Sequence, residues 1–147
     1  MDGRAQRLGS APPAGLARVR RPARRDRLML GLTVRWSLAE APDGVEQQLA
    51  DYVAETSHAR FTGMSGLRFK TWRQVPGEWF EGCYVFATSE AREEFQRTFT
   101  EGAAQAPGSQ IVGSAPILVE ACDVVAIAEG WEGFVASPHL SPADGRG

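Results

Sequence analysis

The sequence is short of most residues from which catalytic centres are assembled. It has one lysine, Lys70, two histidines, His58 and His139, and two cysteines, Cys83 and Cys122. No HxH, HExxH or CxxC spacing occurs, which argues against a zinc or non-haem iron site. GxSxG, Walker A and GxGxxG motifs are missing too, and with them the usual hydrolase, nucleotidase and dinucleotide-binding readings. No apolar run is long enough to span a bilayer, so no membrane partner is expected. The cysteines lie within apolar strand patterns, and no secretory signal precedes them. They are expected as free thiols in a reducing, cytoplasmic compartment.

What is present is unevenly charged. The 147 residues carry a net charge of −2, but residues 1–27 hold eight arginines against Asp2 and Asp26. That segment lacks hydrophobic periodicity and is expected as a disordered leader, 1–27. It reads as a nucleic-acid or anionic-membrane arm, as a transit peptide, or as an inert or mis-assigned leader. The last is favoured, because no folded nucleic-acid module accompanies it. Nucleic acid would be reached only through this arm. A polar, proline-bearing tail is expected at 137–147, leaving a folded domain at 28–136.

Within that domain the hydrophobic pattern changes period in an orderly way. Leu28, Leu30, Leu32, Val34, Trp36 and Leu38 alternate with small or polar residues, the period-two mark of a strand. Ala41-Pro42-Asp43-Gly44 ends it and opens a helix over about 44–58, with Val45, Leu49, Tyr52, Val53 and Thr56 on one stripe. Strands follow at 67–73 and 78–87, joined by a Pro76-Gly77 turn. A second helix, capped by Thr88 or Ser89, carries Phe95 and Phe99 one turn apart. Residues 101–114 read as a loop with a short strand at 110–112, and a last strand is expected over 117–128.

The order β–α–β–β–α–β predicts an α+β, ferredoxin-like antiparallel sheet, strand order 4-1-3-2, with both helices on one face. On strand 2, Arg68, Lys70 and Trp72 alternate with Leu67, Phe69 and Thr71. On strand 3, Trp79, Cys83 and Val85 alternate with Phe80, Tyr84 and Phe86. Neither set looks polar enough to face water, which predicts a face-to-face homodimer. Strand 1 would separate Cys83 from Cys122 and forbid a disulfide between them.

Gly66-Leu67-Arg68-Phe69-Lys70-Thr71-Trp72, Glu81-Gly82-Cys83-Tyr84-Val85-Phe86, the capped helix at Ser89 and the ending Cys122-Asp123-Val124 together carry a resemblance. The pattern is similar to that of the YdhR-type monooxygenases of the dimeric α/β-barrel superfamily, over about residues 28–130. In that family a "PGF-x-WK-x-W" strand is followed by a "GG-x-Y-x-F" strand. Here Ser65 stands for the proline, Phe69 for a tryptophan, and Cys83 for a small or apolar residue. The resemblance implies a dimeric barrel with a ligand cavity in each subunit and a monooxygenase activity.

Cofactor-free oxygenation needs a dry pocket, a base or donor that favours the substrate anion, and positive charge to hold it. Lys70 and Tyr84 are the candidate catalytic residues. Arg35, Arg68, Trp72 and His58 are candidates for holding the substrate. Each has a plainer role: Lys70 and Arg68 as a polar edge, Trp72 and Tyr84 as packing, and His58 as a helix C-terminal cation. His58 is also the one candidate haem ligand, although the expectation is no cofactor. The expected activity is a small monooxygenase acting on an aromatic or polyketide-like molecule. The alternatives are a non-catalytic small-molecule-binding protein and a purely structural dimer.

Overall fold

A computed structural model describes residues 29–134; the leader, 1–27, and the tail, 137–147, lie outside the described residues. Strand β1 (Gly31–Ser37) buries Leu32, Val34 and Trp36, the apolar half of its alternation. It pairs antiparallel with β3 (Trp79–Phe86) on one side and β4 (Leu118–Cys122) on the other. Strand β2 (Leu67–Val75) pairs only with β3, so the sheet runs β2-β3-β1-β4. This is the expected order read from the opposite edge, and the fold is ferredoxin-like, α+β.

The hairpin between β2 and β3 is set by two residues. Pro76 supplies the φ required at the first corner of a type II turn, and Gly77 takes φ 76° at the second. Glu78 N donates to Val75 O at 3.0 Å to close it. Gly77 N also donates to Glu46 Oε1 at 2.8 Å, tying the hairpin to the first helix.

That helix is longer than its sequence pattern suggested, and it changes pitch. Helix α1 (Val45–Tyr52) runs into a π-helical turn (Val53–Ser57), then into one further turn, α2 (His58–Phe61). An ordinary helix drifts about 40° for each step of four residues. The wider π turn reverses some of that drift, so Val45, Leu49, Ser57 and Phe61 are all buried. Thr56, expected on the apolar stripe, is exposed, and Ser57 takes the inward place.

Helix α3 (Ser89–Glu101) is capped by Thr88, whose Oγ1 accepts from Ala91 N at 3.1 Å. Arg92, buried, donates to Met29 O at 2.8 Å and holds the helix to the start of β1. The expected strand at 110–112 is instead α4 (Pro107–Val112), preceded by a 3-10 turn (Ala103–Gln105). Proline at its first turn and Gly113 at φ 84° just after its end are helix punctuation, which outweighed the β-branched pair Ile111-Val112. Strand β4 stops at Cys122 rather than 128, because only Leu118–Cys122 finds partners on β1.

All helices lie on one sheet face, over a core of Leu32, Val34, Trp36, Leu38, Val45, Leu49, Phe61, Phe80, Tyr84, Phe86 and Val112. The other face departs from expectation. It carries Thr33, Arg35, Thr71, Arg73, Glu81 and Glu120 among Phe69, Trp79, Val85 and Leu118, so it is mixed rather than apolar. A bulge between Leu67 and Phe69 turns Leu67 onto the helix face, where it packs against the core. Cys83 and Cys122 are both free.

Candidate functional site

Between the sheet and the helices lies a cavity of about 240 Å³. Its floor is the helix-facing side of the strands: Trp36 from β1, Lys70 and Trp72 from β2, and Phe80, Gly82 and Tyr84 from β3. Register places Lys70 opposite Tyr84 and Trp72 opposite Gly82. Tyr52, Ser57, Arg60 and Phe61 form one wall, Phe95, Thr98 and Phe99 another, and Gly102 to Gly108 close one end. The π turn aims Ser57 and Phe61 into this space.

Lys70 is the centre of the site. Its Nζ lies 3.7 Å from the centroid of the Phe61 ring, 4.4 Å from that of Tyr84 and 4.5 Å from that of Trp72. No carboxylate among the described residues makes an ion pair with it. The three ring faces attract an ammonium, but burial and the nearby Arg60 guanidinium act against the charge and prevail. Together they lower the Lys70 pKa from its ordinary 10.5 to about 6. Lys70 is therefore a neutral amine at pH 7, with a free lone pair inside an aromatic box.

Tyr84 is shifted in the opposite sense. Burial pushes its phenol well above the usual 10, only partly opposed by Arg60, so it keeps its proton and acts as a donor. Its ring packs on Phe95 at 4.9 Å and on Phe61 at 5.6 Å, which fixes its direction. Gly82 makes the room between these two groups. A Cβ there would lie 3.1 Å from Lys70 Cε and 3.1 Å from Tyr84 Cε2.

The closed end is pinned by a short relay. Trp36 Nε1 donates to Ser109 Oγ at 3.0 Å, and Ser109 Oγ donates to Ala103 O at 2.6 Å. Gly108 packs flat on the Trp36 indole, leaving no space for a side chain. This wall was read from sequence as a loop, so its part in the site was missed. Arg60, exposed at the end of α2, and Phe61 were missed as well; their signal was a helix stripe that continues past residue 58.

Of the six residues singled out from the sequence, Lys70, Trp72 and Tyr84 line the cavity, and His58 lies beside it with its ring 5.9 Å from that of Trp72. Arg35 is on the opposite face of the sheet, a correction that follows from its register against Glu81 rather than against an even-numbered partner. There Arg35 Nε donates to Glu81 Oε2 at 2.8 Å, and Arg73 bonds the other carboxylate oxygen. Glu81 is fully covered, shielded by the two guanidinium groups over it and not by depth. Burial pushes its pKa up, but hydrogen bonds from Arg35 and Arg73 outweigh that and hold it below 4.5. Arg68 is the extra residue of the β2 bulge, exposed and outside the cavity, because the bulge breaks its alternation with Lys70.

Cys83, on the outer face, has its thiol raised by burial and by Glu81, which makes it a poor nucleophile. Among the described residues, no group of histidine, cysteine or carboxylate side chains is arranged to hold a metal ion, and no helix is long and apolar enough to cross a membrane.

No family model matches the chain, and no curated protein does. Among solved structures, that of the NE2512 protein of unknown function from Nitrosomonas europaea is similar, with a TM-score of 0.51 and 23% identity. The match covers 68% of this chain and 92% of that one. This likeness supports the α+β, ferredoxin-like class and speaks to nothing beyond the fold.

Proposed function

We propose that the protein is a small monooxygenase that acts on a one- or two-ring aromatic molecule without a metal or organic cofactor, and works as a homodimer. The observation that carries this reading is the neutral, desolvated Lys70 amine in a cavity walled by aromatic rings. A cavity of about 150 Å³ holds one benzene; 240 Å³ suits a phenol of up to two rings and leaves little room for a larger polyketide.

Lys70 takes the phenolic proton, and the resulting ammonium–phenolate pair is held together in the dry pocket. Tyr84, which keeps its proton, donates to the oxygen anion, and Arg60 adds positive charge at the wall. The electron-rich ring then reacts with dioxygen at the para carbon. A C–O bond forms, the ring proton is lost, and the O–O bond breaks with release of water. One oxygen atom stays on the ring as a para-quinone, so phenol plus O₂ gives quinone plus H₂O. Phe69, Trp79, Val85 and Leu118, half-buried on the outer sheet face, are the apolar part of the surface a second copy would cover.

The test uses 1-naphthol in an oxygen electrode with the full chain. Formation of naphthoquinone carrying one atom from ¹⁸O₂, lost in Lys70→Met while 1-naphthol still binds, supports the reading. Binding without turnover in either protein would make it a non-catalytic small-molecule-binding protein instead. Native mass spectrometry at low micromolar concentration tests the dimer, and a stable monomer would refute that part.

A further inference from the structure

The Lys70 amine has a chemistry that needs no oxygen. A neutral primary amine in a dry pocket is a nucleophile toward carbonyl carbon as well as a base. We propose that the chain captures small aromatic aldehydes and ketones as a reversible imine on Lys70. This stands on the cavity and its amine alone, independently of the oxygenase reading.

The geometry suits an aryl carbonyl in three respects. Phe61, Trp72 and Tyr84 present ring faces around Nζ at 3.7, 4.5 and 4.4 Å, so an aryl group entering beside the amine meets aromatic surface. No carboxylate is paired with the amine, so nothing on the protein competes to keep it as an ammonium. Gly82 leaves open the space next to Lys70 Cε and the Tyr84 hydroxyl, where the carbonyl oxygen would sit. Tyr84 retains its proton and can donate to that oxygen.

The step balances without an oxidant or reductant. The nitrogen lone pair attacks the carbonyl carbon and a C–N bond forms. The C=O π pair moves to oxygen, which takes a proton from nitrogen to give the carbinolamine. Nitrogen then forms the second bond to carbon as the hydroxyl leaves, and with nitrogen's remaining proton it departs as water. The titratable and charged groups around the amine are Arg60 and His58 from α2, Tyr52 from α1, Tyr84 from β3, and Cys83 on the far side of β3. Of these, Arg60 disfavours the ammonium and Cys83 weakly favours it, and burial exceeds both.

Because Lys70 is the only lysine in the sequence, a reductive trap reports on it with little background. Benzaldehyde with sodium cyanoborohydride is added to the full chain at pH 7, followed by intact mass measurement and peptide mapping. The expected product carries one benzyl group on the peptide containing Lys70. At pH 7 an amine of pKa about 6 has about 3,000 times more free base than one of pKa 10.5. After allowance for its weaker nucleophilicity, Lys70 should still be modified at least about tenfold faster in the native protein than in the urea-unfolded chain.

Excess 1-naphthol should slow the native reaction by occupying the cavity, a readout that needs no folded variant. In Lys70→Arg the label should disappear from that peptide. Equal rates in native and unfolded protein, or label confined to the chain's α-amino group, would overturn the proposal. Imine trapping without oxygen uptake would leave it standing while removing the oxygenase reading, and oxygen uptake without trapping would do the reverse.

Discussion

Replacing Lys70 with methionine should make the protein more stable at neutral pH, the reverse of the usual result for a buried residue that touches three rings. In the unfolded chain this amine has its ordinary pKa of 10.5, and in the fold it is lowered to about 6. Between those two values the unfolded state binds the extra proton, so folding must strip it off, and stability rises with pH across the window. Below pH 6 the cost is complete, and above 10.5 it is gone. At about 1.36 kcal/mol per pH step the gap sets a ceiling of about 6 kcal/mol. Cation–π attraction and the partial exposure of the side chain reduce that, and at pH 7 about 2 kcal/mol is the working expectation.

Methionine keeps an unbranched stem of similar length and carries no charge, so Lys70→Met removes the proton linkage while still filling the box. The assay is urea unfolding of both proteins at pH 7 and pH 9.5, followed by tryptophan fluorescence. Lys70→Met should be about 2 kcal/mol more stable at pH 7, and the stability gain between the two pH values should be smaller than in the unaltered protein. If the variant is instead less stable at pH 7 with the same pH slope, Lys70 is a charged ammonium held by the rings. The base and nucleophile roles would then fall together.

Glu81→Gln leaves Arg35 and Arg73 facing an uncharged amide. It should cost about 1–3 kcal/mol, the exposed Arg73 contributing least. Since the folded pKa of Glu81 lies below 4.5, the stabilisation is present above that value and lost as pH falls through the folded one. Acid unfolding of Glu81→Gln should therefore show a shallower pH dependence below pH 4.5. Gly82→Ala places a methyl 3.1 Å from Lys70 Cε and Tyr84 Cε2. The flexible lysine can yield, so Tm should change little while the Kd for 1-naphthol by fluorescence titration rises about tenfold. Trp36→Phe removes the donor to Ser109 Oγ and should destabilise by about 1–3 kcal/mol. Faster hydrogen exchange should be confined to residues 103–112, and unchanged protection there would refute the relay.

Much of the architecture was legible because its signals are local. Alternation in β1, β2 and β3, the Pro76-Gly77 corner and the Thr88 cap each fix their element without help from distant residues. Strand order followed from connectivity. Face assignments were less secure, since one extra residue inverts them: the bulge beside Arg68 carried Leu67 to the core side and took Arg68 out of the pattern. Arg35 was misassigned for a related reason, because its face follows from pairing with Glu81, a register that the isolated strand does not contain. Lys70, Trp72 and Tyr84 were found because they alternate on adjacent strands of one hairpin. Arg60, Phe61 and the 103–112 wall were not, since their positions depend on a change of helix pitch and on Pro107–Val112 folding as a helix.

The π turn at Val53–Ser57 has a consequence for how this pocket can vary. A π turn holds one more residue than the helical turn it interrupts, so removing one residue there restores an ordinary helix without breaking the chain. Everything after the deletion then rotates by about 100°. Ser57, Arg60 and Phe61 would swing out of the box together, and the faces behind them would replace them. The chain thus contains a single-step route to a different pocket in which the sheet, Lys70 and Tyr84 stay in place and only the phase of one helix changes.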